Sequence, residues 1–246
     1  MCFFSNAEVF IGNWHSRRDA LRRVQYGHDG AWPSNNKSSD VFLFMLNNYS
    51  KMETAMKLIK TSIEGLLIIE PKIFRDKRGF FFESYSKRNF EENGINIEFI
   101  QDNHSKSVKG TVRGLHFQEI RPQDKLVRAV SGEILDVAVD LRPGSPTFGK
   151  WESVLLSAEN ARQLLVPKGF AHGFCVLSKE AEFLYKCSDF YYPEYEKGIR
   201  WNDPMLNISW TVENPLISQR DAASFAFADL DFSSYMPEEG YMVRKV

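Results

Sequence analysis

The sequence predicts an all-β fold, built as an antiparallel sandwich or barrel. Ten short β-rich runs follow one another between residues 66 and 187, and Gly, Pro and Asn turns separate them at intervals of about 8 to 15 residues. In the run at 134–141, residues alternate between an apolar face and a face that mixes apolar side chains with Asp136 and Asp140. A mixed face inside a small barrel is typical of a polar ligand cavity.

Each predicted strand is bounded by turn-forming residues. In chain order the strands are predicted over 66–69, 79–85, 97–103, 110–117, 125–131, 133–141, 149–157, 161–166, 169–177 and 181–187. Helix is expected to be minor, with one short helix over 87–93. The segment 141–148 contains two prolines and a glycine, which predict a loop, and 118–125 is a second predicted loop.

Residues 1–55 differ in texture from the rest of the chain. They contain an arginine-rich stretch and then Trp-Pro-Ser-Asn-Asn-Lys-Ser-Ser at 32–39, a run typical of turns or disorder. Short helices over 17–24 and 49–57 are the alternative, although neither has an apolar face of the length that a stable helix requires. We therefore predict a poorly structured N-terminal extension over 1–55 and a domain over 56–246.

Composition excludes several functional classes. The 31 Lys and Arg residues balance 32 Asp and Glu residues, so no overall field attracts nucleic acid or an anionic membrane. The longest apolar stretches, such as 41–46 and 66–69, fall far short of the roughly 20 residues that span a bilayer. Cys2, Cys175 and Cys187 are too few and too irregularly spaced for a disulfide framework. The sequence therefore predicts a cytoplasmic protein with neither nucleic-acid nor membrane partners.

Two histidines in strand-like surroundings are the main functional candidates. A metal-binding jelly-roll barrel of the cupin type carries His-x-His and a later Glu, followed by Pro-x-Gly-x-x-His. Pro-Lys-Gly-Phe-Ala-His at 167–172 matches the second motif, but His116 is followed two residues later by Gln118. Glu119 falls one residue past an inward position and should point outward. Two imidazoles and an amide are a poor ligand set, so we predict a cupin-like jelly roll without metal or cofactor.

Other reactive side chains cluster near the first histidine in the pattern. Arg113 precedes His116 by three residues, Lys125 follows it by nine, and Tyr185 lies in an apolar-polar alternation. Taken alone, His116 could be a hydrogen-bonded barrel histidine. A histidine, a tyrosine and a cation around one cavity could instead remove a proton next to a carbonyl, hold the enolate and return a proton. This set is typical of a cofactor-independent racemase or epimerase.

Nine spaced motifs resemble one family, that of dTDP-4-dehydrorhamnose 3,5-epimerase. They lie at 78–85, 101–107, 113–118, 125–128, 145–151, 156–160, 167–174, 182–186 and 201–204, in unbroken order from about residue 56 onward. The resemblance implies epimerisation of dTDP-4-dehydro-6-deoxy-D-glucose at C3 and C5 to dTDP-4-dehydro-L-rhamnose, on the way to dTDP-L-rhamnose. It also implies a homodimer in which the segment around 78–83 reaches the site of the neighbouring subunit.

The resemblance assigns roles to particular residues. It implies that His116 is the general base, that Asp221 orients it, that Tyr185 donates the proton and that Lys125 stabilises the enolate. The residues it implies for substrate binding, including a stacking aromatic at Tyr191, are Arg78, Glu83, Gln101, Asp102, Asn103, Arg113, Lys125, His172, Tyr191, Glu196 and Arg220. Arg220 departs from the family, which usually has lysine there. Phe190 or Tyr192 could replace Tyr191 as the stacking ring, and 101–103 could be a strand-ending turn.

Three other functions remain open on the sequence alone. The chain could epimerise only C3, act as a 3,4-ketoisomerase on a dTDP-4-keto sugar, or bind a sugar nucleotide without catalysis. Tyr185 favours inversion at C5, because that step needs an acid on the opposite face of the sugar. The presence of His116 and Lys125 disfavours a non-catalytic binder.

Overall fold

The computed structural model of the protein describes residues 56–232 and Tyr235. The predicted extension over 1–55 therefore lies outside the described residues, as do 233–234 and 236–246. Among the residues described, the helices are too short and too polar for any of them to cross a membrane.

The domain is built almost entirely from antiparallel strands. The strands are β1 (Met56–Lys60), β2 (Leu67–Pro71), β3 (Phe74–Asp76), β4 (Gly79–Phe81), β5 (Gln101–Val108), β6 (Val112–Gln118), β7 (Lys125–Ser131), β8 (Glu133–Asp140), β9 (Trp151–Ser157), β10 (Gln163–Val166), β11 (Phe170–Val176), β12 (Glu180–Cys187) and β13 (Glu196–Gly198). The helices are α1 (Lys87–Glu92) and α2 (Gln219–Ala222), with 3₁₀ turns at Pro193–Tyr195 and Phe227–Asp229.

Two large sheets form the two layers. One has six strands in the order β1-β2-β10-β7-β12-β5, and the other has five in the order β13-β6-β11-β8-β9, while β3 and β4 form a separate hairpin. Strands distant in sequence lie side by side in both sheets, as in a jelly roll. The predicted all-β, cupin-like fold is confirmed.

Most predicted strands lie where turn chemistry placed them, and β7 agrees residue for residue. The prediction was wrong for β5, which begins at Gln101 and continues to Val108. The segment 101–103 is therefore the start of a strand and not a turn. The whole of β5 pairs with β12, from Gln101 opposite Cys187 to Val108 opposite Glu180. The predicted strand over 79–85 ends early, at Phe81. Helix α1 matches its prediction and is capped by Ser86, whose hydroxyl accepts the Asn89 N–H.

Strand β8 separates two hydrophobic cores, as its alternation predicts. Ile134 and Ala138 pack in the core that also contains Phe183 of the other sheet. Val137 and Val139 belong to a second core, formed with apolar residues of the C-terminal region. Both faces of the five-stranded sheet are therefore covered, and the layer between the sheets is where the mixed face of β8 lies.

Candidate active site

A cavity of about 630 Å³ lies between the two sheets. Its size falls within the range of roughly 300–1,000 Å³ that is usual for small-molecule sites. Eleven of the fourteen residues predicted from the sequence line it, and they come from both sheets, from α2 and, for Tyr191, from a loop. They are Gln101, Asn103, Arg113, His116, Lys125, His172, Tyr185, Tyr191, Glu196, Arg220 and Asp221.

Strand register explains how these residues meet. On β6 and β11, His116 and His172 are direct cross-strand partners. On the other sheet, Tyr185 is paired with Asn103, and Cys187 of the same strand is paired with Lys125. Directly opposed residues project from the same face of a sheet, so each pair enters the cavity together. The site thus has one wall of histidines and an opposite wall with tyrosine and lysine.

His116 is held by a carboxylate. Its Nε2 lies 2.6 Å from Oδ1 of Asp221, which α2 carries toward the cavity. Burial alone would raise the pKa of the Asp221 carboxyl. The hydrogen bond and charge of His116 lower it, as do the hydrogen bonds from Ser218 and from the Gly114 N–H. Together these interactions outweigh burial, so the pKa of Asp221 lies below its ordinary value. Asp221 is therefore an anion at neutral pH and accepts the Nε2 proton. The lone pair of Nδ1, 3.9 Å from Glu196 Oε1, is left to accept a proton.

The second histidine also has a carboxylate partner, which the sequence reasoning missed. Nε2 of His172 lies 2.9 and 3.0 Å from the two oxygens of Asp136, and both residues are buried. Burial raises the pKa of Asp136, and the nearby His172 and Lys125 oppose this rise without cancelling it. The signal was available, because Asp136 lies on the mixed face of β8. A second His–Asp pair therefore stands beside the first.

Lys125 and Tyr185 face the histidines from the opposite sheet. Burial lowers the pKa of Lys125, although Cys187 and Asp136 partly offset it. Burial also raises the pKa of the Tyr185 phenol to about 12, with smaller contributions from Cys187 and Tyr191 and an opposing one from Arg113. Tyr185 thus keeps its proton at neutral pH, as a proton donor must.

Tyr191, Glu196 and Arg220 form a connected group on the exposed side of the cavity. The Tyr191 hydroxyl donates to Glu196 Oε2 at 2.6 Å, and Arg220 donates to the Tyr191 oxygen at 3.1 Å and also pairs with Glu196. Among the described residues that line the cavity, neither Phe190 nor Tyr192 appears. Tyr192 instead packs on Tyr195 and under the Arg121 guanidinium. The geometry therefore favours Tyr191 over both neighbours as the stacking ring.

Three predicted substrate contacts lie elsewhere in the structure: the described cavity lining does not include Arg78, Glu83 or Asp102. Arg78 is exposed and pairs with Asp76 at 2.6 Å, and Glu83 accepts a hydrogen bond from Asn89. Asp102 pairs with Lys186 at 3.0 Å on the outer face of β5. Period-two alternation sends Asp102 to the face opposite its neighbours Gln101 and Asn103, so a contact between Asp102 and a ligand in this cavity is not supported.

Within residues 56–232 and Tyr235, no three or more His, Cys, Asp or Glu side chains come together in a way that could hold a metal ion. Gln118, at the position of the second histidine of His-x-His, is buried and bonds to backbone groups, donating to Arg121 O at 2.7 Å. Glu119 points outward, as predicted, and lies 3.7 Å from Lys197.

Known proteins resemble this chain along the domain. A model of the dTDP-4-dehydrorhamnose 3,5-epimerase family matches residues 60–229. The protein of that name from Shigella flexneri is 59% identical over 179 residues, which cover 72% of this chain and 99% of the Shigella protein.

Solved structures agree with this match. The 3,5-epimerase of dTDP-6-deoxy-D-glucose from Legionella pneumophila, in complex with dTDP-4-keto-L-rhamnose, has 52% identity and a TM-score of 0.71, and the alignment covers 73% of this chain and 96% of that one. A 3'-monoepimerase from Streptomyces bikiniensis, in complex with dTDP-quinovose, has 38% identity and a TM-score of 0.65, covering 68% and 86%. With the family model matching most of the domain and a relative at 59% identity, the chain belongs to the dTDP-4-dehydrorhamnose 3,5-epimerase family.

Proposed function

We propose that this protein epimerises dTDP-4-dehydro-6-deoxy-D-glucose at C3 and C5 to dTDP-4-dehydro-L-rhamnose, without a cofactor, in dTDP-L-rhamnose biosynthesis. One observation carries the proposal: a histidine bound through Nε2 to a carboxylate on one wall of the cavity faces a protonated tyrosine and a partly buried lysine on the other. In the proposal, His116 is the base and Tyr185 the acid, on opposite sides of whatever the cavity binds.

The proposed reaction runs through an enolate. Nδ1 of His116 takes the proton from the carbon next to the C4 carbonyl. The electron pair of that C–H bond forms the C=C bond of the enolate, and the π pair of the carbonyl moves onto the C4 oxygen. The ammonium group of Lys125 stabilises the oxyanion. Tyr185 then returns a proton from the opposite face, which inverts the carbon, and solvent restores the protons on Tyr185 and removes the one on His116. His116 and Lys125 are proposed to act in the same way at C3 and at C5, since both carbons are adjacent to the carbonyl, whereas the proton from Tyr185 is assigned chiefly to the inversion at C5.

Charged and aromatic groups of the same cavity support nucleotide binding. Arg113 and His172 are proposed to bind the diphosphate, for which the arginine fork is well suited. Arg113 is oriented by its Nε, which donates to Ser107 Oγ at 3.0 Å. Tyr191 is proposed to stack on the thymine ring, and Gln101, Asn103, Glu196 and Arg220 to supply polar contacts. The dTDP ligands of the Legionella and Streptomyces structures are consistent with this assignment.

Deuterium incorporation tests the reaction. The protein is incubated with the 4-keto sugar nucleotide in D₂O, and deuterium at C3 and C5 is counted by NMR. We expect label at both carbons, and none with His116→Ala. The matched control is His104→Ala, because His104 is exposed on β5 and lies 3.1 Å from Glu182, away from the cavity that the described residues line. Absence of label in the wild-type protein would sink the proposal.

A C3-only epimerase is the second candidate, favoured by the resemblance to the Streptomyces 3'-monoepimerase. In the same experiment it predicts deuterium at C3 alone. Tyr185, which is present and protonated, favours inversion at both carbons instead.

We also propose a homodimer in which the β3–β4 hairpin enters the neighbouring cavity. Phe74 and Phe81, which lie directly opposite each other on this hairpin, are 56% and 70% exposed, and such a paired apolar surface is typical of an interface. Arg78, beside them, could then reach the partner's substrate. Mixing His116→Ala subunits with Arg78→Ala subunits tests this: hybrid dimers should regain activity at one of two sites. Mixtures as inactive as either parent would count against it.

The proposed location is the cytoplasm. Cys175 and Cys187 are free and buried, which suits a reducing compartment.

A further inference from the structure

Gln118 occupies an unusual place next to the candidate base. It ends β6 two residues after His116 and is buried, yet its carboxamide turns to the segment 189–192. Its Nε2 donates to Phe190 O at 3.3 Å, and its Oε1 accepts the N–H of Tyr192 at 2.7 Å. These two groups belong to the two peptide units that flank Tyr191. One side chain therefore fixes the backbone on both sides of that residue.

Two further glutamines act on the same segment. Gln123 Nε2 donates to Asp189 O at 2.8 Å and to Phe190 O at 3.0 Å. Gln101 Oε1 accepts the N–H of Tyr191 at 3.0 Å. The segment 189–192 lies outside helix and strand, so these side chains take the place of a backbone ladder. We call Gln101, Gln118 and Gln123 the glutamine clamp.

The clamp fixes the backbone of a partly exposed ring, whose hydroxyl is held separately by Glu196 and Arg220. Tyr191 is 44% exposed and lines the cavity from a loop. Ordering such a loop when a ligand binds costs conformational entropy, and a loop already fixed in its binding conformation avoids that cost. The glutamines carry no charge, and Gln118 is not among the described residues that line the cavity, so its influence on a ligand must pass through the loop.

We propose that the glutamine clamp, and Gln118 above all, is a positioning device that presents Tyr191 to the nucleobase and thereby sets the affinity for the nucleotide. The inference rests on the proposed function, in which Tyr191 stacks on the base. Gln118 stands where barrels with a His-x-His motif have their second metal-binding histidine. In this chain the same position connects β6, which carries His116, to the loop that carries Tyr191.

Two probes separate positioning from general structural support. dTDP carries a base and should sense the clamp, whereas inorganic pyrophosphate has no base and should not. Gln118→Met keeps the side-chain length and removes all three hydrogen bonds. We expect the Kd of dTDP to rise about 10-fold, since several modest hydrogen bonds are lost, and the Kd of pyrophosphate to change less than about twofold. With the full substrate, KM should rise while kcat stays within about twofold.

A double variant tests whether the effect passes through the ring. Tyr191→Leu alone should weaken dTDP binding about 10-fold or more, because base stacking is lost. Gln118→Met added to Tyr191→Leu should then cost less than a further twofold or so. Asn160→Ala is the matched control: its amide also bonds one backbone carbonyl and two backbone N–H groups, but in the turn between β9 and β10. It should leave the Kd of dTDP unchanged.

The outcomes distinguish the two proposals. If the wild-type protein does not bind dTDP, the proposed function fails and the clamp with it. If the wild type binds dTDP and Gln118→Met binds it equally well, or loses dTDP and pyrophosphate alike, the clamp alone is overturned. Should Gln118→Met not fold, Gln123→Met removes two hydrogen bonds to the same segment and is compared with and without Tyr191, because Gln123 itself lines the cavity. We expect it to raise the Kd of dTDP about threefold or more, only while Tyr191 is present.

Discussion

Replacing Asp221 with asparagine should nearly abolish proton abstraction while leaving the fold intact. The carboxylate is 2.6 Å from His116 Nε2 and its side chain is only 5% exposed, so solvent screens the interaction little. A hydrogen bond between charged groups contributes about 1.5–3 kcal/mol. Because 1.36 kcal/mol is a tenfold change in rate, losing the negative charge alone predicts a fall of roughly 10- to 150-fold in kcat/KM.

The geometry around Asp221 adds a second loss. The carboxyl also accepts the backbone N–H of Gly114, and asparagine has only one carbonyl oxygen. If its NH₂ group faces the imidazole, Nε2 must accept and the proton moves to Nδ1, which then cannot serve as base. The same exchange in the Ser-His-Asp triad of proteases costs about 10⁴-fold. We therefore expect a total loss between about 10²- and 10⁴-fold.

Steady-state turnover of the 4-keto sugar nucleotide measures this loss, with circular dichroism as the check on folding. Asp229→Asn is the control, since it removes the same charge from an exposed position in the nearby 3₁₀ turn. The Kd of dTDP should be unchanged in both variants. A folded Asp221→Asn protein that keeps more than about a third of the wild-type kcat/KM would refute the assignment of His116 as a base activated by Asp221.

Three further changes have defined consequences. Lys125→Met should lower kcat about 10²-fold or more, seen by the same turnover assay, because the enolate loses its cation; near-normal kcat would contradict that role. Asp140→Ala should lower the free energy of unfolding in urea by about 3–5 kcal/mol. The Arg142 guanidinium lies 2.7 Å from the Asp140 carboxylate and is only 16% exposed, so the substitution leaves a largely buried charge without its partner. A change in the unfolding free energy below about 1 kcal/mol would contradict this reasoning. Gly114→Ala should lower the melting temperature and the activity together, because Gly114 has φ +114° and a Cβ there would lie 2.7 Å from the backbone of β11. The control is Gly144→Ala, which is also at positive φ but has open space around it. It should lower both the melting temperature and the activity less.

Much of this architecture could be predicted from local chemistry. Strand β7 was predicted without error, because Lys-Leu-Val-Arg-Ala-Val-Ser is β-rich and ends at the Gly132 turn. The two faces of β8 could also be assigned, since alternation fixes which residues share a side. Eleven site residues entered one cavity because they lie on inward faces or on the loops and helix beside them.

The rest depends on interactions between distant parts of the chain. Asp136 pairs with His172, 36 residues away, and pattern alone gave the face of Asp136 but no partner. Asp102 follows Gln101 in a segment, 101–103, whose residues were all predicted to bind substrate. Side chains alternate between the two faces of a strand, so Gln101 points into the cavity while Asp102 points outward and pairs with Lys186. The late end of β5 had the same cause, because its pairing with β12 overrides weak strand propensity in Asp-Asn-His-Ser.

The most direct test of the division between base and acid is position-resolved deuterium exchange in Tyr185→Phe. The change removes the phenol whose pKa of about 12 keeps it protonated, and leaves His116 and Asp221 in place. We predict that exchange at C3 persists within about tenfold of the wild-type rate while inversion at C5 falls about 10²-fold or more, as expected for loss of a general acid. Equal loss of exchange at C3 and of inversion at C5 would contradict the account.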